Sequence, residues 1–331
     1  PITTDNELVE RASKAISEYG RVEVLPFVRE FHKNAFLYKK RFIQFLSDFS
    51  SGRKGGLSLR KYFEHLPGGF SLWWLSLVQE KSTVKSRLYN DLSRLITIND
   101  FERDLGIDEV CIDIRDSSLR ESIRKNSGAK KIYLKDGRNR GIIFDLSMCL
   151  IKAIGFFSAC IARKLVMGVI LRPGRAKRLS RLKMSRLLYV TYFPLANEGE
   201  LKKNKFVSNY FGPLQGSAES RYGGNVAWIG ILLDRTGLNL GKMLLARKIN
   251  KWGYCLFLAE ELLSFRKIAG VFFNYLRVSF KFLIKIPYIS RNLTFNCGRE
   301  IDLWDIFKKD WVYSFFGSYA AGNLIYYHIF E

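Results

Sequence analysis

Residues 187–193, LLYVTYF, form a continuous apolar run rich in β-branched and aromatic side chains, and residues 225–234, NVAWIGILLD, form another. A short run that is apolar throughout reads as a strand buried on both faces. Between the two lie a polar loop, NEGELKKNK, and then FVSNYFGPLQ at 206–215. A helix is expected at 239–249. Strand, loop, helix and strand in that order open an α/β parallel sheet. The fold class is therefore α/β, with a second domain spanning 186–331.

Upstream, residues 1–140 mix helices with a few strands. Helices are expected at 5–19, capped by Asp5 or Asn6, at 26–50 and at 57–65, and the string at 71–82 is followed by a helical stretch to about residue 103. IDEVCIDIRD at 107–116 sets Val110, Ile112 and Ile114 on one side, as a strand does. A helix at 117–126 and a short strand at 131–134 follow. Residues 141–185 connect the two domains. Their first part, from 142 to 171, is long and apolar, with Asp145, Lys152 and Arg163 falling on one line at 100° per residue. Their last part, 172–186, holds seven basic residues and no acidic one. Two readings stay open at this point. One is a core helix followed by a solvated basic linker. The other is a helix lying in a membrane interface, with Arg172, Arg175, Lys177, Arg178, Arg181 and Lys183 on anionic headgroups. A membrane-spanning helix ranks third, because two charges fall inside the window. Residues 255–286 read as a second amphipathic stretch, with Glu260, Ser264, Lys267, Asn274, Lys281 and Lys285 along one stripe and Arg266 and Arg277 beside phenylalanines. Packing on a sheet and membrane contact are again the alternatives.

The 331 residues carry 54 Lys+Arg against 31 Asp+Glu, a net charge of +23. The excess is uneven: from residue 141 onward there are 28 basic and 12 acidic residues, against 26 and 19 before it. Such a balance seeks polyanions: nucleic acid, an anionic bilayer or phosphorylated substrates. With 47% hydrophobic residues the chain can build a core, which excludes a disordered tail. A mean hydropathy of −0.06 argues against a polytopic membrane protein. The five cysteines lack CxxC spacing and the histidines number three, so no disulfide framework and no metal centre are expected. Residues 1–20 are polar and do not read as a signal peptide.

No P-loop and no GxGxxG after a strand is present, and neither are HExxH, GxSxG or the kinase motifs. No cofactor is expected. Signatures of RRM, KH or helix-turn-helix modules are also missing, so nucleic acid is not the expected partner. Two strings stand out instead. In SLWWLSLVQEKS, 71–82, Trp73 and Trp74 point apart in any regular structure, so one of them can be exposed as a platform for a sugar ring. Glu80 is then a candidate general base on an acceptor hydroxyl, with Lys81 or Lys85 for anion contact. The alternative is core tryptophans with a surface Glu–Lys pair. In SNYFGPL, 208–214, Ser208, Asn209 and Tyr210 offer polar groups at the carboxyl end of a strand, where α/β proteins bind ligands. Tyr192 and Gly212 share that end, and Gly212-Pro213 reads as a tight turn. The alternative there is a helix cap with a buried tyrosine.

SLWWLSLVQEKSTVKS, RLLYVTYFP, FVSNYFGPLQ and NVAWIGIL together resemble a family of bacterial surface-carbohydrate proteins of the O-antigen biosynthesis type. The resemblance runs from near residue 57 to the C-terminus, and the Trp-Trp and Glu-Lys-Ser string is its most specific part. It implies a glycosyltransferase of GT-B architecture, with two Rossmann-like domains facing a cleft. Some relatives are linked to nonulosonic acids, which implies a CMP-activated donor and a glycan or lipid-linked acceptor at the inner face of the bacterial cytoplasmic membrane. Members of that family continue past the position of Glu331, which implies that the C-terminal nucleotide-binding domain is missing or incomplete here. Glu80 would be the base, and Trp73, Trp74, Lys81, Lys85, Tyr192, Ser208, Asn209, Tyr210 and Gly212 would contact substrates. The rival expectation is a non-catalytic, membrane-associated scaffold of a glycan-synthesis complex.

Overall fold

The structure is a computed structural model that describes residues 27–52, 58–66, 70–79, 86–106, 108–112, 114, 116–134, 141–223, 225–232, 237–296 and 300–330. It is mixed α/β and mostly helical, with a small three-stranded parallel sheet. The chain divides into two compact units: Pro1–Gly141 with Ile284–Trp311, and Ile142–Leu283 with Val312–Glu331. The long apolar helix and the basic segment after it, read from sequence as a connection, thus belong to the second unit. The helix expected at 5–19 lies outside the described residues.

In the second unit the sheet runs Leu187–Phe193, Val226–Leu232 and Leu256–Leu258, all parallel, with 226–232 in the middle. Helices Pro213–Tyr222 and Leu240–Lys251 make the two crossovers. The central strand is buried almost throughout, as its apolar run requires. One face of the sheet carries the larger core. There Trp228 stacks on Tyr189 at 4.4 Å and meets Phe206 edge-on at 5.1 Å. Met243, Ile249 and Met167 close over that face. The other face is covered over the middle and third strands, where Leu179 and Leu182 of helix Arg175–Met184 pack on Ala227, Cys255 and Phe257.

Two expectations change here. Strand 187–193 is not buried on both faces: Leu188, Val190 and Tyr192 alternate outward and exposed. It is an edge strand, and the covering helix reaches the neighbouring strands rather than this one. The stretch 255–286 is also not one helix. Leu256–Leu258 is the third strand, Ala259–Leu262 a single turn, and the long helix starts at Phe265. Strand 256–258 pairs with Asn250, whose amide accepts from Leu256 N and donates to Leu256 O, both at 2.9 Å.

In the first unit, helix Phe27–Ser51 lies along helix Leu88–Leu105. An aromatic core of Phe42, Phe45, Phe63, Trp73, Phe295, Phe307 and Trp311 fills the unit. Its strands are short. Glu109–Ile112 and Lys131–Leu134 are parallel and joined by helix Ser117–Asn126, while Thr294–Asn296 and Glu300–Asp302 form a hairpin. Asn126 ties that helix to the hairpin, donating to Asp302 O at 2.8 Å and accepting from Asp302 N at 2.7 Å.

Close strand approach in the sheet depends on Gly230. A Cβ built there would lie 2.9 Å from Phe193 Cβ and 3.3 Å from a Leu258 methyl. The Gly230→Ala variant should lose about 1–3 kcal/mol in a denaturant titration. An unchanged midpoint would mean that the sheet relaxes without cost.

Candidate functional site: an inward charge cluster and an outward apolar face

Helix Ile142–Ile170 decides the chemistry of the second unit. Its sequence puts Asp145, Lys152 and Arg163 on one line beside a wide apolar face. The structure turns part of that line inward. Arg163 is fully buried, and its Nη2 meets Glu260 Oε1 at 3.0 Å with both side chains 1% exposed. The same guanidinium donates to Gly237 O at 3.2 Å. One residue on, Lys164 Nζ donates to the Glu261 carbonyl at 2.7 Å. Glu261 itself takes Arg178 at 2.5 Å, and Arg178 also donates to Leu171 O and Pro173 O. Arg175 Nε stands 3.7 Å from the same carboxylate. Burial pushes the Glu261 carboxyl up against the pull of Arg178. Burial likewise lowers the Lys164 ammonium. Two helices are thereby pinned to a Glu-Glu doublet at the carboxyl end of strand 256–258.

The outer side of helix 142–170 is the complement. Ile143, Phe144, Met148, Ile151, Ile154, Ile161, Leu165 and Val169 recur at helical spacing and are all exposed. Among the exposed residues of this helix only Lys152 is charged. The helix is long and apolar enough to cross a membrane, and only 22% of its most apolar stretch is buried. The helix is apolar on both sides: Ala153, Phe156, Phe157 and Met167 are buried with Arg163, while the outer side is exposed. Its inner side packs on the same unit from Cys149 to Met167. Only the outer side is open along its length.

Helix Phe265–Asn292 adds a second such face. Within the second unit, Phe265, Phe273, Leu276 and Phe280 are exposed on one side, with Arg266, Lys267 and Arg277 exposed beside them. The polybasic segment is less available than its sequence suggests. Arg178 is buried, and Arg181 donates to Gly253 O at 2.6 Å. Arg172, Lys177 and Lys183 are exposed, and Arg175 is half-buried.

The strand-end residues are used mostly within the fold. Ser208 is fully buried; its hydroxyl lies 3.5 Å from that of Thr191, and its N–H donates to Gln215 Oε1 at 2.8 Å. Gly212 has φ +49°, a conformation that favours glycine, and its N–H donates to Ser208 O. Asn209 donates to Ala196 O at 3.2 Å. Tyr210 is exposed rather than buried as a capping tyrosine would be, and Tyr192 is exposed beside Leu188 and Val190 on the strand. In the first unit, a 3-10 turn at Leu72–Leu75 buries Trp73 on Trp311 at 5.4 Å and leaves Trp74 47% exposed. Glu80, Lys81 and Lys85 lie outside the described residues. Burial raises the thiols of Cys149 and Cys160 to about 11 and about 12, so neither is a ready nucleophile. Among the described residues no group of three metal-binding side chains occurs.

The sequence reading missed Arg178 with Glu261 as a buried pair, and Arg60 beside Trp74. The doublet Glu260-Glu261 directly after the apolar run Leu256–Ala259 was the available signal for the first. Comparison with protein-family models, curated proteins and solved structures finds no match to this chain.

Removing one partner of the Arg163–Glu260 pair strands a charge in the interior. Glu260→Ala should cost about 3–5 kcal/mol of stability. The double variant R163M/E260L should recover most of that loss in the same denaturant titration. Equal losses in both would show that the pair is not coupled.

Proposed function

We propose that the chain is a membrane-peripheral glycosyltransferase component of bacterial surface-polysaccharide or O-antigen assembly, acting at the inner face of the cytoplasmic membrane. The observation that carries the membrane part is helix 142–170, whose buried side holds Arg163 and whose open side is apolar. A basic, phenylalanine-lined second helix supports it, because Arg and Lys beside inserted aromatics suit anionic headgroups. The transferase part rests on the sequence resemblance, with a parallel α/β sheet as the compatible frame. In that reading the architecture is GT-B-like and the donor a CMP-sugar, such as a CMP-nonulosonic acid. The acceptor is a glycan or a lipid-linked glycan. Glu80 takes the proton of the acceptor hydroxyl, whose oxygen attacks the anomeric carbon as the bond to the CMP phosphate breaks. Lys81 or Lys85 offsets charge on the departing phosphate.

The second reading is a non-catalytic, membrane-associated scaffold of a glycan-synthesis complex. The internal use of Ser208 and Gly212 at the sheet's carboxyl end favours it.

Co-sedimentation with phosphatidylglycerol-containing vesicles, with and without CMP, tests the membrane reading. Binding should fall by an order of magnitude or more in I151E/L165E and should weaken with salt. These side chains are exposed, so the variant should keep its unfolding midpoint. Binding that survives I151E/L165E would sink the role assigned to this face. A transfer assay with a CMP-sugar donor separates the two functional readings. Glu80→Gln should abolish transfer with the fold intact, whereas loss of folding would mark Glu80 as structural.

A further inference from the structure

Strand Leu187–Phe193 ends the three-stranded sheet, and among the described residues no strand pairs with its outer edge. Its register with the middle strand runs over all seven residues without a bulge. Leu187 N donates to Asn225 O at 3.3 Å, and on the far side of the middle strand Trp228 N donates to Cys255 O at 2.8 Å. Successive residues of a strand address opposite edges, so Leu187, Tyr189, Thr191 and Phe193 point their backbone groups at the middle strand. Leu188, Val190 and Tyr192 point theirs at the open edge. The side chains of the same three residues stand exposed on the face that helix Arg175–Met184 leaves uncovered. Tyr192 O accepts from Leu195 N at 3.1 Å. The N–H groups of all three residues and the carbonyls of Leu188 and Val190 stay open among the described residues.

Open edges are ordinarily blunted by a lysine, a proline or a bulge. LLYVTYF holds none of these, and Arg186 and Pro194 stand only at its two ends. Parallel strands are ordinarily covered on both faces, so this one lacks cover on a face as well as on an edge. Its pattern is also its own complement. When two copies meet antiparallel about Val190, Val190 faces the second copy's Val190 and Leu188 faces the second copy's Tyr192. Each exposed side chain then meets an apolar one. Val190 N–H reaches the second copy's Val190 O, and Tyr192 N–H reaches the second copy's Leu188 O. A two-fold interface requires this kind of self-matching. We infer that strand 187–193 pairs with a second copy of this chain, joining the two sheets through an antiparallel centre. A shared edge of seven residues is about 23 Å long. That is small for an interface, so the dimer dissociates on dilution.

Sedimentation velocity of the full chain over a dilution series tests this, in detergent micelles that cover the exposed helix faces. The chain should run as a dimer at the concentrated end and as a monomer at the dilute end. V190K sets like charges opposite each other and should weaken the dimer about tenfold or more. Val190 is exposed, so the denaturant midpoint should hold. L188K/Y192E sets opposite charges across the axis and should dimerise, whereas L188K/Y192K should not. Cross-linking reads the register. Directly paired residues of this kind stand about 5.5 Å apart at Cα, within reach of a disulfide. Oxidised V190C should therefore link into dimers. L188C, which faces Tyr192 rather than itself, should link no more than the parent chain. A monomer at every concentration overturns the inference and leaves this edge to another polypeptide. A dimer that survives V190K overturns it as well, and so does equal cross-linking of V190C and L188C. Loss of the dimer in I151E/L165E, with V190K still dimeric, would place the contact on helix 142–170 instead.

Discussion

The pairing of Glu260 and Glu261 with Arg163 and Arg178 is the constraint on which the second unit depends. Two adjacent carboxylates follow strand 256–258 directly into the interior. Buried carboxylates need partners, and the partners here come from two separate helices. Helix 142–170 must present its arginine inward to meet Glu260. Helix 175–184 must present Arg178 inward to meet Glu261, which also lays Leu179 and Leu182 on the sheet. The buried side of the long helix carries Arg163 among Ala153, Phe156, Phe157 and Met167, and its other side is apolar and exposed. Holding Arg163 inward fixes which side that is.

That arrangement explains why a basic segment contributes less free charge than its composition suggests. Of the basic residues between 172 and 183, Arg178 is buried and Arg181 is engaged with a carbonyl. The positive surface left over is carried by Arg172, Lys177 and Lys183, and by Arg266, Lys267 and Arg277 on the later helix. Arg266, Lys267 and Arg277 share their helix with the exposed Phe265, Phe273 and Phe280. Charge and apolar area on one helix are what the proposed bilayer contact would use.

Legibility varied along the chain for physical reasons. The central strand was plain because a continuous apolar run in a middle strand has one explanation. The edge strand 187–193 has the same composition but a different fate, since composition does not say whether a neighbour covers the outer face. The third strand was hidden because LFL is too short to break the helical pattern around it, and only the sheet register at Trp228–Leu256 makes it a strand. At the candidate sites, Trp73 and Trp74 were legible as a pair that diverges. Which of the two faces solvent depended on Trp311, distant in sequence. Arg60 stood out in no motif, because its partner Trp74 is 14 residues away on another short element.

The sequence by itself determined the α/β class, the helices at 27–51, 117–126, 142–170 and 240–251, and the basic, apolar character of the second half, because these follow from local periodicity and counts. Tertiary structure alone decided which side of each amphipathic helix faces inward. Periodicity defines the faces of a helix, but their orientation follows from distant groups that must be paired. Here Glu260, nearly a hundred residues after Arg163, holds that one charge inside, while Lys152 stays exposed with the isoleucines and Leu165.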